Sequence, residues 1–446
     1  MHTYFKTAWM TVLLFFLVTG VTHAQLEIHQ INVGNGDGAL IKLYDDNELI
    51  YTIVIDGGLK ATDNKFIPYL KNFIPDIPGK PGKKLINWVI LSHNHQDHFK
   101  GLIEMFNDDA FIIKKITDQF GYKIGEDTYT TPLPVAENNN CEPFIARSIS
   151  GKNPQQALVE YVQAVKAANT RKLAYDNEAI RADTAFYCAT KKFMVYTLPE
   201  VDGVPVTMQC IAADGFTEGV TTRDVGGRNA NNFTYGWVLE FGQFRFYTGG
   251  DLGGYNGGYT DQETPMAAYL TTLFPNNHPE TGVNTATNFP GHVCVMKTNH
   301  HGSTQSSNPN FLKTLACSSI VTSAGKHDRW KIPTVDFVDR VAAIPAFGAI
   351  RGVYFTQIYN YGTENARTEA NLKFDGKADY NYVTPGDGDA AQYSFLFTVY
   401  SRTVYTAPGK KKRTIKIEDE SVYTVSKVRT SDFNIAQQFV CLCHKP

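Results

Sequence analysis

The amino-acid sequence predicts an α/β chain built of layered sheets and helices, and three observations carry that prediction. Short, almost wholly apolar strand runs are interleaved with helical stretches, the pattern of sheets covered by helices. The composition, 43% hydrophobic and 19% charged over 446 residues, is that of a folded globular protein, not of a disordered, collagen-like or coiled-coil chain. The residues able to do chemistry also gather just past the ends of apolar strands, as a site on one edge of a sandwich would require. At roughly 150 residues per domain the length suits one large domain or two to three smaller ones. Forty-two Lys+Arg against 44 Asp+Glu give a formal net charge of -2. Bulk charge therefore offers no general attraction to nucleic acid.

Residues 1–24 have the layout of a signal peptide: Lys6 in a short leading region, the apolar run 12–18, then Thr22-His23-Ala24 before Gln25. The run is well short of the ~20 residues that span a bilayer, and no later stretch has the length or purity of a span. Cleavage after Ala24 and a secreted or periplasmic protein without a membrane span are expected. Strand patterns follow at 26–33, 39–43 and 49–55, and 87–91 reads Asn-Trp-Val-Ile-Leu, a strand covered on both faces. Asn153-Pro154 opens a helix with Leu158, Tyr161, Val162, Val165 and Ala168 on one face. The rest of 107–200 reads as an irregular insertion. Strands resume at 206–212, 235–241, 244–248, 292–296 and 320–323. From 346 to 446 the texture is that of a β-rich extension, which either prolongs the core sheet or forms a small module; its Lys410-Lys411-Lys412-Arg413 run reads as a solvated hairpin turn. Of seven cysteines, Cys441 and Cys443 with His444 form only a weak metal pattern, and the pairing of the others is open.

The strongest chemical signal is Ser92-His93-Asn94-His95-Gln96-Asp97-His98, directly after the 87–91 strand. His93 and His95 are two apart, so an extended backbone turns both imidazoles to one side. Asp97 and His98 run into the next element and face a second position nearby. Imidazole and carboxylate at this density suit Zn²⁺, with Mn²⁺ or Fe compatible by ligand softness. Four residues cannot close two metal sites. Downstream candidates are Asp251, after the strand ending Tyr247-Thr248, and the pair His300-His301 in Lys297-Thr298-Asn299-His300-His301-Gly302-Ser303. Asp56, in Ile55-Asp56-Gly57-Gly58, is placed to hold the histidine loop by hydrogen bonds rather than to bind metal.

These residues resemble the metallo-β-lactamase-fold hydrolases, whose mark is H-x-H-x-D-H, and most closely the branch containing ComEC-type competence protein hydrolase domains and phosphorylcholine esterases. Asn32-Val33-Gly34-Asn35-Gly36-Asp37-Gly38, Gly101, Asn231-Asn232, Gly250-Asp251 and His300-His301-Gly302-Ser303 extend the similarity. It covers about residues 25–335 outside the insertion. The resemblance implies a four-layer αββα sandwich over 25–345. It makes His93, His95 and one of His300 or His301 the ligands of a first metal, Asp97 and His98 those of a second, and Asp251 the bridge. In that branch a histidine follows the next strand end, where this sequence has Ile332; His327 or Asp328 would have to substitute. One firm Zn²⁺ site and one weak or substrate-completed site are therefore expected.

Such a centre activates water, with Asp97 orienting it and accepting its proton, and Lys297, His292 and His301 as candidates to stabilise negative charge. The resemblance favours phosphate esters, phosphodiesters included, so that nucleic acid enters only as a substrate. An amide or lactone hydrolase of the same fold, and a binding module without turnover, are the alternatives. The oligomeric state is not written in these motifs.

Overall fold

A computed structural model describes residues 24–59, 64–119, 156–187, 190–220, 230–257, 259–275, 290–326, 330–344, 351–361, 365–383, 393–400, 403–406, 414–417 and 422–442. The leader 1–23, His327, Asp328, the 410–413 basic run and the Cys443-His444 tail lie outside them. Two nine-stranded sheets form the body. The first contains β1 (Ala24–Gln30), β2 (Ala39–Asp45), β3 (Glu48–Ile55), β4 (Trp88–Ile90), β5 (Lys115–Thr117) and β6 (Arg181–Asp183). The second runs through β7 (Val195–Val201), β8 (Val204–Ala213), β9 (Gly236–Phe241), β10 (Phe244–Thr248), β11 (Val295–Lys297), β12 (Ser319–Thr322), β13 (Arg351–Phe355) and β14 (Tyr380–Val383). Three late strands, β15 (Tyr393–Tyr400), β16 (Val422–Arg429) and β17 (Ile435–Leu442), return to the first sheet beside β1. The β-rich extension thus prolongs both sheets.

Period-two patterning decides the layers. Ile41 and Ile90 point inward and meet Met208, Trp237, Leu239 and Val321 of the other sheet in one apolar cluster. Their neighbours Leu40 and Val89 point outward, under the helices α1 (Phe66–Phe73), α2 (Gln96–Asn107) and α3 (Gln156–Asp176). On the far side Val238, Met296 and Val353 pack under α4 (Glu263–Leu273), α5 (Pro309–Leu315), α6 (Val335–Ala343) and α7 (Ala366–Phe374). The result is helix, sheet, sheet, helix: a four-layer αββα sandwich. Trp88 and Trp237 meet edge-to-face at 5.7 Å across its middle.

Within the stretch expected to be an irregular insertion, 107–200, the described part is regular. β5 pairs in parallel with β4, and β6 in parallel with β5, and α3 buries Leu158, Tyr161, Val162, Val165 and Ala168 against the first sheet's helical layer. Buried parallel strands of three residues are too short to show alternation in sequence. Cys294 is disulfide-bonded. Cys441 is a buried free thiol in the core. Among the described residues no helix is long and apolar enough to cross a membrane.

Candidate metal centre

Strand register builds the first half of the site. β3 and β4 run in parallel with Ile55 opposite Ile90, so Asp56 and Ser92 leave the sheet side by side. The Asp56 carboxylate accepts from the Ser92 amide at 2.7 Å, the Ser92 hydroxyl at 2.7 Å and His98 Nδ1 at 2.8 Å. His95 is the N-cap of α2, which leaves His93 and His95 on extended chain and puts Asp97 and His98 on the first turn. Glycine lets other segments close on that turn. A Cβ on Gly36, whose φ is +99°, would lie 1.6 Å from the Asp97 carbonyl oxygen, and one on Gly101 would lie 1.9 Å from that of Gly57. The backbone amides of Asp37 and Gly57 instead donate to the carbonyls of Asp97 and His98 at 3.3 and 2.7 Å.

The second half hangs from the parallel strands β10, β11 and β12. The Gly250 carbonyl, one residue before Asp251, accepts from the His300 amide at 2.9 Å and from Lys297 Nζ at 3.0 Å. His300 and His301 have φ of 42° and 52° and Gly302 follows at 73°. Left-handed non-glycine residues cost about 1–3 kcal/mol each and persist only where their surroundings over-determine them. Two buried charges supply that constraint. Glu263 accepts from the Asn299 amide nitrogen at 2.8 Å and from the backbone amides of Ser307 and Asn308. Arg340 donates to the carbonyls of Ser303, Ser306 and Ser307 at 2.8, 3.0 and 3.2 Å. Burial pushes the Glu263 carboxyl up to about 7, against the pull of its amide donors.

The halves meet at Asp251, which is buried. Its Oδ1 lies 3.3 Å from His98 Nε2 and 3.1 Å from His301 Nε2, and Asp97 Oδ2 lies 4.0 and 3.6 Å from the same two nitrogens. Its Oδ2 lies 3.6 Å from His93 Nε2 and 3.7 Å from His300 Nε2, while His93 Nε2 is 3.1 Å from His95 Nδ1. Four donors at ~2.0–2.1 Å around a tetrahedral Zn²⁺ stand about 3.3 Å apart. Ligand atoms of His98, His301, Asp251 and Asp37 all lie within 4.8 Å of one another, as do those of His93, His95 and Asp251. His98 Nε2, His301 Nε2 and Asp251 Oδ1 are moreover buried with no hydrogen-bond partner, which is costly unless something else satisfies them. Their other ring nitrogens are committed: His98 Nδ1 faces Asp56, and His301 Nδ1 faces the Ser323 carbonyl at 2.9 Å. In the neutral ring that leaves each Nε2 as the lone pair, aimed inward, where a cation would replace the proton.

Electrostatics reflect the same convergence. Burial drives the imidazoles of His98 and His301 down, but Asp251 and its neighbouring carboxylates more than offset it and hold both above their ordinary value. His300, more weakly compensated, is pushed down by burial to about 4. Burial raises the Asp97 carboxyl, yet His98 and His301 win and keep it well below the usual range.

Each residue expected from the sequence can now be placed. His93, His95, Asp97, His98, Asp251, His300 and His301 come together, and Asp56 stands behind His98. The histidine pair divides: His300 faces the His93–His95 set and His301 the Asp97–His98 set. Ile332 lines the cleft, and His301 is the imidazole that lies with His98 and Asp251. His301 lines the cleft as well. Lys297 is corrected: it is buried behind the cluster, bonded to Asp37 Oδ2 and the Gly250 carbonyl, and does not line the cleft. His292 is buried elsewhere, its Nδ1 donating to the carbonyls of Leu315 and Ala316. Asp37, read only as part of a glycine-rich opening, was missed. Its Oδ1 lies 3.4 Å from His301 Nδ1; Lys297 and His301 outweigh burial and keep its carboxyl low.

Above the cluster opens a cleft of about 430 Å³, lined at its floor by His95, Asp97, Asp251, His300 and His301. No family model matches the chain, and no curated protein matches it. Solved structures do. The chain is similar to the diiron β-hydroxylase CmlA of Streptomyces venezuelae, at 10% identity and a TM-score of 0.32 over 71% of this chain, where it spans half of that protein's length. It is similar to Zn²⁺-bound PqqB of Methylobacterium extorquens, at 10% identity and 0.34, over 81% of this chain and 98% of that one. A metallo-β-lactamase of Cronobacter sakazakii gives 12% identity and 0.27, over 56% of this chain and 75% of that one.

Proposed function

We propose that this chain is an exported, metal-dependent hydrolase of phosphate esters, of the diester type. The observation that carries the reading is Asp251, whose two oxygens face two separate imidazole sets at the floor of an open cleft. His93, His95, His300 and Asp251 Oδ2 would hold one cation; Asp97, His98, His301 and Asp251 Oδ1 would hold a second. Zn²⁺ suits these donors, and Mn²⁺ or Fe share the same chemistry. When bound, such a cation supplies Lewis acidity, bringing a water's pKa down to ~7 and drawing charge from the oxygen under attack.

The chain's own residues supply the rest. Asp56 fixes the His98 ring and the Ser323 carbonyl that of His301, so neither has to reorient during the reaction. Asp97 is the carboxylate of the cluster most open to the cleft, its side chain 34% exposed. Held ionised, it accepts a hydrogen bond from the attacking water and takes its proton. Asn231, beside His300 at 3.4 Å and lining the cleft, takes over from Lys297 as the neutral donor to developing negative charge. Export rests on the 1–24 leader pattern.

The test is cleavage of bis(p-nitrophenyl) phosphate with added Zn²⁺ or Mn²⁺, set beside a β-lactam and a lactone. Diester turnover that disappears in both His95→Ala and Asp97→Ala supports the proposal. Unchanged rates in either variant overturn the mechanism, turnover of the lactam or lactone alone selects the amide or lactone alternative, and binding without turnover selects the non-catalytic module.

A further inference from the structure

Behind the cleft lies an ion pair that the reaction outlined above does not use. Asp37 and Lys297 come from opposite sheets, and both are almost wholly buried, 5% and 1% exposed. A buried ion pair adds little net stability, because desolvation consumes most of the attraction between the charges. What this pair touches is more informative. Lys297 Nζ donates to the Gly250 carbonyl at 3.0 Å, and that carbonyl belongs to the planar peptide that carries the nitrogen of Asp251. Asp37 accepts from Lys297 at Oδ2 and sets Oδ1 3.4 Å from His301 Nδ1, the ring nitrogen that does not face Asp251. Its own loop is fastened twice, by the Asp37 amide on the Asp97 carbonyl at 3.3 Å and the Ser323 hydroxyl on the Gly36 carbonyl at 2.8 Å. One carboxylate and one ammonium thus run from a loop of the first sheet to the peptide before Asp251 and to the ring of His301.

Resting on the two-cation centre of the reading above, and not on its substrate, we propose that Asp37 and Lys297 are positioning residues, a buried strut that fixes Asp251 and His301 at the spacing a cation needs. Both act through those two side chains and take no part in the chemistry.

The sign of one effect separates a strut from a mere charge. By Coulomb attraction alone, removing a positive charge beside a cation site tightens binding, whereas losing a strut weakens it. The experiment is Zn²⁺ affinity by competition with a chromophoric chelator, with the urea midpoint of the metal-free protein measured alongside. Lys297→Met should bind Zn²⁺ at least about ten-fold more weakly than the parent. The double variant Asp37→Asn with Lys297→Met keeps the parent's net charge and leaves neither partner charged and alone. Its midpoint should stay near the parent's while its affinity remains about ten-fold down. Binding in Lys297→Met as tight as the parent's, or tighter, overturns the proposal. In the double variant, parent affinity, or a loss of affinity matched by an equal loss of stability, overturns it too; either variant decides alone if the other does not fold. A parent that takes up no Zn²⁺ overturns the centre itself and the strut with it, whereas a parent that binds Zn²⁺ no better than its variants loses the strut only.

Discussion

The part of the site contributed by the first sheet rests on strand register and close glycine contacts, whereas the part contributed by the second sits on a left-handed loop clamped by Glu263 and Arg340. In the first, His93 to His98 follow one short buried strand, and a single carboxylate, Asp56, ties the strand end to the helix start. In the second, the strained pair His300-His301 depends on groups from two helices packed beneath it. Regular structure delivers ligands cheaply where they lie close in sequence. Where they must point against the natural turn of the backbone, buried charge has to hold them.

Asp251 belongs to the second part yet faces both donor sets, so its loss is the largest effect expected. Asp251→Ala should lower diester cleavage by at least about 100-fold and leave no tightly held cation after dialysis, as read by metal analysis. Two retained equivalents would break the view of it as the joint.

Next in size is the pH dependence of the loop clamp. Glu263 sits at about 7 in the folded chain against about 4.3 unfolded. The folded state therefore binds the extra proton between those values, and stability falls as pH rises through that window, with the full loss present above it. Urea unfolding of Glu263→Gln should lack this slope, so that its stability relative to the parent rises by about 3 kcal/mol between pH ~4 and ~8. A difference that stays constant with pH would show that the clamp is not titrating.

On the first side, Asp56→Asn should weaken cation binding by roughly 10–100-fold while barely moving the urea midpoint, since register still holds the loop. The smallest effect is Thr334→Ala. Thr334 caps α6 by accepting from the Phe337 amide at 3.2 Å, and its loss should cost about 1 kcal/mol with unchanged activity. A larger fall in activity than in stability would mean that α6 positions the loop more directly than Arg340 alone implies.

The contrast also explains what could be read from sequence. The histidine motif is local, so its spacing carries its geometry. Asp251 and His300-His301 were recognisable because each follows an apolar strand, and the layer architecture because strands alternate with helices. Which histidine joins which set was not legible, because it depends on positive φ at two non-glycine residues. Nor was the part played by Asp37 and Lys297, which pair across 260 residues. Lys297 stood only as one candidate to stabilise charge, beside the reading of an ordinary strand-end lysine, because nothing nearby in sequence marks its partner. The three-residue strand β5 vanished into a supposed insertion because nothing so short can show a period.

One further consequence follows from where β1 lies, between β2 and the late strand β15, with the Asn32 amide bonded to the Ser394 hydroxyl 362 residues away. A chain still emerging from the ribosome has made β1 long before it makes the strand that covers its open side. Closure of that sheet waits for the synthesis of β15, and such distant pairing is slow to form. A product cut short before β15 would carry a bare strand edge, open to pairing with other unfinished copies.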